Sequence, residues 1–255
     1  MLIVSLAIAT LTACGGGGSQ PPATTSAPAP MPTAPPPPVS NYTGAPVTGG
    51  GSIEGTVTYA GTEKDTTITV TKDDATCALH GKEHPAETLV VKDGKLANAI
   101  VWIDGITAGK PFTPGTVTID NMNCTFHPHV LVGWLGGKIA AHNSDPILHN
   151  TNMSFVEGNK PIGNVALPTQ GQTIEKDLKK TGMVAIKCDA HEWMSAHMLV
   201  AEHPYATVTD ENGKFSFTDV PPGTYTVKFW HERLGDKSAQ VTVAAGAAAM
   251  ADQAY

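Results

Sequence analysis

Charge is absent from the first fifty residues of this chain. No Asp, Glu, Lys or Arg occurs before Glu54, so the net charge of −7 belongs entirely to residues 54–255. No basic patch argues for nucleic acid or an anionic lipid surface. A mildly acidic globule of this kind suits a protein partner with a positive face. Long apolar runs are scarce as well. The stretch MLIVSLAIATLTA, residues 1–13, is shorter than the roughly 18 residues that span a bilayer. Helical periodicity is missing apart from one candidate turn at residues 174–180. Neither a Ser-His-Asp arrangement nor a paired-carboxylate motif can be defended. Hydrolysis therefore has no support, no catalytic residue is assigned, and the chain reads as not an enzyme. With 41% hydrophobic residues over 255 positions there is still enough apolar material for one large or two small domains.

Cysteine is also scarce, with four in the chain. Leu11-Thr12-Ala13-Cys14 reads as the lipobox of a bacterial lipoprotein signal peptide. Residues 1–13 are then the signal peptide and Cys14 is the lipidation site, tethering the chain by acyl chains in the cell envelope, periplasmic or outer-membrane-facing. Residues 14–50 hold half of the chain's twenty prolines and no charge, and they read as a linker and semi-rigid spacer. In an oxidising compartment, Cys77 and Cys124 are most simply a disulfide. Cys188 is left alone, and an odd thiol in an exported protein is reactive, paired between molecules, or bound to something.

From Gly51 onward, short alternating segments predominate: residues 52–59, 67–70, 88–91 and 99–103. The same texture recurs in VTID, HVLVGW, MVAIKC, HMLVA, KFSF, TYTVKFW and AQVTV. Apolar residues at period two, broken by Gly, Pro and Asp, predict strands. The fold class is all-β, a sandwich or a pair of sandwiches.

The stretch CDAHEWM, residues 188–194, places a thiol, an imidazole and a thioether within seven positions. These are ligand types that soft, redox-active copper prefers. It forms a loop between a strand ending at Cys188 and one beginning near His197. Upstream, His149 opens a polar strand and could complete a His, Cys, His set, as in a trigonal copper site with a weak axial sulfur. The HN pair at 149–150 and the CxxH at 188–191 resemble the plastocyanin and pseudoazurin type of cupredoxin. The resemblance implies a Greek-key β-sandwich holding one mononuclear copper that shuttles one electron. It makes His149, Cys188 and His191 the equatorial ligands and Asn150 the residue bracing the ligand loop. The family spacing would put the axial methionine at position 196, where Ala196 stands. Met194 is the preferred axial ligand, with Met198, Glu192 and His197 as alternatives. His191, in a surface loop, would be the exit route for the electron.

Residues 206–235, with the DENG turn, the alternating KFSF, the VPPG turn and TYTVKF, are similar to the carboxypeptidase regulatory-like (transthyretin-like) β-sandwich module. That module normally opens with a strand like the GTVTY at 55–59. The expected layout begins with an N-terminal β segment at 51–118, which could supply the first part of this module. A cupredoxin-like domain at 119–203 and the regulatory-like module at 204–255 complete it. Insertion of one domain in the other and a tandem order both remain open. His127 and His129 would put two rings on one strand face, suiting a surface metal site, or they simply belong to a strand start. Trp230, His231 and Glu232 read as a docking face, as a wall beside the metal, or as a strand-end aromatic with two solvated neighbours.

Together these features predict a lipid-anchored electron carrier. Its partner would be a redox protein such as a cytochrome or membrane oxidoreductase, with no nucleic acid and no small-molecule substrate. Two rival readings are a copper-binding or storage lipoprotein without electron transfer, and a metal-free β-sandwich interaction module.

Overall fold

Apolar alternation along the chain is matched by alternating burial. The computed structural model describes residues 38–255, and in its first long strand, Gly51–Thr58, the residues facing the core are Gly51, Ile53, Gly55 and Val57. The signal peptide, Cys14 and most of the linker lie outside the described residues. Among the described residues no helix is long and apolar enough to cross a membrane.

Two sandwiches result. The inner one has a four-stranded sheet in the order Thr125–His127, Thr116–Met122, Lys138–Asn143, Thr173–Asp177. It faces a five-stranded sheet in the order Val130–Trp134, Ser195–Ala201, Gly182–Lys187, His149–Phe155, Pro161–Leu167. Parallel pairs, Thr116–Met122 with Lys138–Asn143 and Val130–Trp134 with Ser195–Ala201, are mixed with antiparallel ones. This is a curled, cupredoxin-like half-barrel. Its core is built from Ile119, Phe126, Ile139, Met153, Val184, Ile186 and Met198, and it continues to Cys188 and Met194.

The outer sandwich is assembled from both ends of the described chain. Ile100–Asp104 lies between Ala206–Val208 and Gly223–His231, while Gly51–Thr58 pairs with Lys214–Val220 and with the C-terminal strands Ala248–Met250 and Gln253–Ala254. Ile53, Val57, Val101 and Ile103 share one core with Phe215, Phe217, Val227 and Phe229. Gly55 is required there, because a Cβ would stand 2.5 Å from the Ala251 carbonyl oxygen. Thus the chain begins the outer sandwich, builds the inner one, and returns.

A third apolar cluster joins the two. Ile100 and Ala206 from the outer sandwich meet Val130, Val132, Leu199 and Ala201 from the inner one, flanked by Trp102, Trp134 and Trp230.

Three local expectations need correction. The linker does not run to residue 50. Tyr42 packs on the outer core and donates its hydroxyl hydrogen to the Lys110 carbonyl at 2.7 Å, and Thr43–Gly44 pairs with Ala108–Gly109. The predicted turn at 174–180 is a strand, Thr173–Asp177, because edge pairing with Lys138–Asn143 satisfies its backbone. Residues 88–91 are extended only at their end. The backbone N–H groups of Glu87, Thr88 and Leu89 donate to the Asp65 carboxylate instead of to a neighbouring strand.

Candidate metal centre

Cys188 follows the strand Gly182–Lys187, and His149 begins the adjacent strand His149–Phe155, so antiparallel pairing carries the two side chains to the same end of the inner sandwich. His191 and Met194 occupy the loop before Ser195–Ala201. That loop closes on itself through Met194 N–H to the His191 carbonyl (2.9 Å) and Cys188 N–H to the Met194 carbonyl (3.3 Å).

The Cys188 sulfur lies 3.9 Å from Nδ1 of His149 and 3.6 Å from Nδ1 of His191. The three donor atoms lie within 4.8 Å of one another, and all three residues are buried. Ligands held at roughly 2.0–2.3 Å from one ion would be spaced on this scale. The other nitrogen of each ring is committed. His149 Nε2 is 2.9 Å from the Asp145 carboxylate, and His191 Nε2 is 3.1 Å from that of Asp73. A carboxylate can only accept, so each ring carries a proton on Nε2, which leaves Nδ1 as the ring atom that addresses the sulfur. Asp145 is itself fixed by the backbone N–H groups of Asn123 and Cys124, at 2.8 Å each.

Asn150 braces the loop. Its backbone N–H points at the Cys188 sulfur (3.5 Å), and its side-chain carbonyl accepts from the N–H groups of Asp189 (2.8 Å) and Ala190 (3.1 Å). The Asp189 carboxylate accepts from the amides of Asn150, Asn152 and Asn164, which hold its pKa below the ordinary carboxylate value.

Burial raises the Cys188 pKa, but His149, His191 and the backbone N–H groups of Asn150 and His191 outweigh it and bring the thiol down to about 6. Burial pulls His149 down, while Asp145 and Cys188 more than compensate and raise it to about 8. Opposite charges are thus favoured on the two groups, and the sulfur is predisposed to the thiolate that a soft metal needs.

Cys77 and Cys124 form a disulfide. Their sulfurs lie close enough to His191 to be considered donors, but each is already bonded to the other. Trp193 donates Nε1–H to the Cys124 carbonyl at 2.9 Å and packs against His191, with ring centroids 5.1 Å apart.

Among the axial alternatives, Met194 is buried within the ligand loop. Met198 lies deeper in the core, where its sulfur packs over Gly133 beside Leu178. Glu192 is exposed, and His197 pairs with Glu232 at 3.3 Å. The expected surface position of His191 is overturned. It is 1% exposed, because Asp73 and Trp193 cover it.

His127 and His129 do not form a metal pair. His127 bonds Thr125 at 2.7 Å, whereas His129 reaches Glu232 across the junction between the sandwiches. Glu232 and His231 are not solvated neighbours either: Glu232 clasps His129 and His197, and His231 is buried. Asp73 and Asp145 are site residues that the sequence pattern does not reveal as such. Asp145 marks a turn before His149, but Asp73 stands 118 positions from its partner and carries no local signal.

Residues 196–254 match the model of the carboxypeptidase regulatory-like domain. The match starts within Ser195–Ala201, a strand that pairs in the inner sandwich, and it omits the outer strands Gly51–Thr58 and Ile100–Asp104. No curated protein sequence matches significantly. Among solved structures, the copper-containing nitrite reductase of Thermus scotoductus SA-01 is similar at 22% identity and a TM-score of 0.30, covering 37% of this chain and 24% of the reductase chain. Amicyanin from Paracoccus versutus aligns at 15% identity and 0.29, covering 33% and 80%. A purple cupredoxin from Nitrosopumilus maritimus aligns at 23% and 0.28, covering 34% and 98%. The chain therefore spans about a quarter of the reductase's length.

Proposed function

We propose that His149, Cys188 and His191 of the inner sandwich would hold one mononuclear copper ion, with Met194 as a further sulfur donor, and that the protein carries one electron between redox partners. The observation that supports this most directly is the convergence of two Nδ1 atoms on one buried sulfur, with both Nε2 atoms committed to carboxylates. A thiolate with two imidazoles is a donor set that suits copper. When bound, copper would supply a one-electron couple.

The protein's part is to keep the donors still. Asp145 and Asp73 fix the ring orientations, Asn150 holds the loop and directs an N–H at the sulfur, and burial keeps water away. A donor set that does not rearrange between oxidation states makes electron exchange inexpensive. Lipidation at Cys14 would tether the protein in the envelope of a bacterial cell, and the partner would be a cytochrome or a membrane oxidoreductase.

The test is the visible absorption and electron spin resonance spectrum of the full-chain protein loaded with cupric ion, beside Cys188→Ser. A strong thiolate-to-copper band that vanishes in the variant is the expected result. A spectrum unchanged by the substitution would sink the proposal. A potential beyond the reach of respiratory partners would instead favour copper storage.

A further inference from the structure

Asp73 occupies an unusual position. It is the N-cap of the short helix Asp74–Cys77, with left-handed backbone angles of φ 54° and ψ 37°. Its carbonyl accepts from the N–H groups of Thr76 and Cys77, but its carboxylate makes no capping bond. An aspartate at an N-cap ordinarily stabilises its own helix by that bond, and a left-handed conformation is unfavourable for any residue with a Cβ. Both local preferences are set aside here, and the carboxylate reaches His191 Nε2 at 3.1 Å instead.

The segment carrying Asp73 belongs in sequence to the outer sandwich, lying between its strands Gly51–Thr58 and Ile100–Asp104. The disulfide from Cys77 to Cys124 pins it to the inner sandwich, and His84 Nε2 bonds the Cys77 carbonyl at 3.1 Å. The disulfide partner Cys124 donates its own N–H to Asp145, the carboxylate that orients His149. One covalent link therefore ties together the supports of both imidazoles.

We infer that Asp73 is a positioning residue for the metal centre, and that a loop inserted between two strands of the outer sandwich, packed on the inner core through Val70 and Cys77, completes a site whose donors all lie in the inner sandwich. This role rests on the copper reading of the site. Asp73 keeps the His191 ring turned with Nδ1 toward Cys188 and makes the imidazole a stronger donor, as carboxylates behind metal-bound histidines do. A stronger nitrogen donor favours the cupric over the cuprous state. Asp145 has the same relation to His149 from within the inner sandwich. Asp73 differs in coming from a distant loop and in being half exposed, so it links the metal's properties to the seating of that loop.

The test uses the full-chain protein and compares Asp73→Asn, Asp73→Ala and Asp73→Glu with Asp74→Asn, a control at the adjacent position that pairs with Lys82 at the surface. Cobalt(II) affinity is measured by competition, the copper potential by redox titration, and folding by thermal melting. Asp73→Asn is expected to lose about tenfold to a hundredfold in cobalt affinity. It should also raise the copper potential by about 59 mV for each tenfold loss of cupric relative to cuprous binding. Asp73→Glu should recover part of both, and Asp74→Asn should change neither. Folded Asp73→Asn and Asp73→Ala proteins with unaltered affinity and potential, alongside a thiolate band that Cys188→Ser removes, overturn this inference alone. Loss of the same size in Asp74→Asn also overturns it, by showing a general charge effect. An unaltered Cys188→Ser spectrum overturns both it and the copper reading.

Discussion

The backbone N–H of Asn150 faces the sulfur of Cys188 at 3.5 Å, while the Asn150 side chain holds the two residues after that cysteine. One residue thus serves both the thiolate and the loop that presents it. Asn150→Ala retains the backbone N–H but leaves the N–H groups of Asp189 and Ala190 without their acceptor. A stability loss of about 1–3 kcal/mol is expected, at about 0.5–1.5 kcal/mol for each of the two part-buried hydrogen bonds removed. The thiolate-to-copper band should persist with altered intensity. Urea denaturation and the visible spectrum check the two halves of this prediction.

Metal should stabilise the fold, because the donors converge only in the native state. At free metal a hundredfold above the dissociation constant, the gain is about 2.7 kcal/mol. A chelator should reverse it, and Cys188→Ser should show little of it. Denaturation midpoints with and without cupric ion measure the difference.

Removing the disulfide should affect stability and metal binding together. Cys77→Ala with Cys124→Ala is expected to cost about 2–5 kcal/mol. Because the helix next to Asp73 loses its anchor, metal affinity should fall as well. Affinity equal to that of the native protein in the folded double variant would show that the loop seats itself without the link.

Glu232 binds His129 and His197 where the outer sandwich meets the inner. Burial raises its pKa, but the two histidines prevail and hold it at about 2. Glu232→Gln removes the charge that both rings address and should cost about 1.5–3 kcal/mol, the range for hydrogen bonds to a charged group. Differential melting of the two sandwiches in calorimetry would show that the clasp couples them.

Acid should destabilise the protein in two steps. Burial, with help from Arg233, His129 and His197 and against Glu232, lowers His231 from 6.5 to about 4. The unfolded chain therefore takes that proton first, and the associated stability, present above pH 6.5, is lost as the pH falls toward 4. Glu232 loses its contribution in the same direction, between 4.5 and about 2. His231→Asn should flatten the first step, on the order of 3 kcal/mol, as read from urea midpoints across pH. In the metal-free protein His149 works in the opposite sense: its contribution is full below 6.5 and fades as the pH rises through about 8.

Much of this molecule is legible in local order. Alternation in GSIEGTVT or TYTVKFW requires only neighbouring residues, and burial in the folded strands keeps that alternation. Cys188, His191 and Met194 can be recognised together because one short loop carries them all. The candidate turn at 174–180 fails for a long-range reason. Pairing with Lys138–Asn143 supplies the backbone partners that its own sequence does not reveal.

Packing between distant segments settles the rest. His149 meets Cys188 across 39 positions through antiparallel pairing, and Asp73 meets His191 across 118 through a loop held by a disulfide. Ile53 and Phe217 share a core although the entire inner sandwich lies between them in the chain. Periodicity states which face of a strand is apolar but not which strand will cover it. Nor can it state which carboxylate will stand behind a histidine, because that depends on where two distant segments of the chain come into contact.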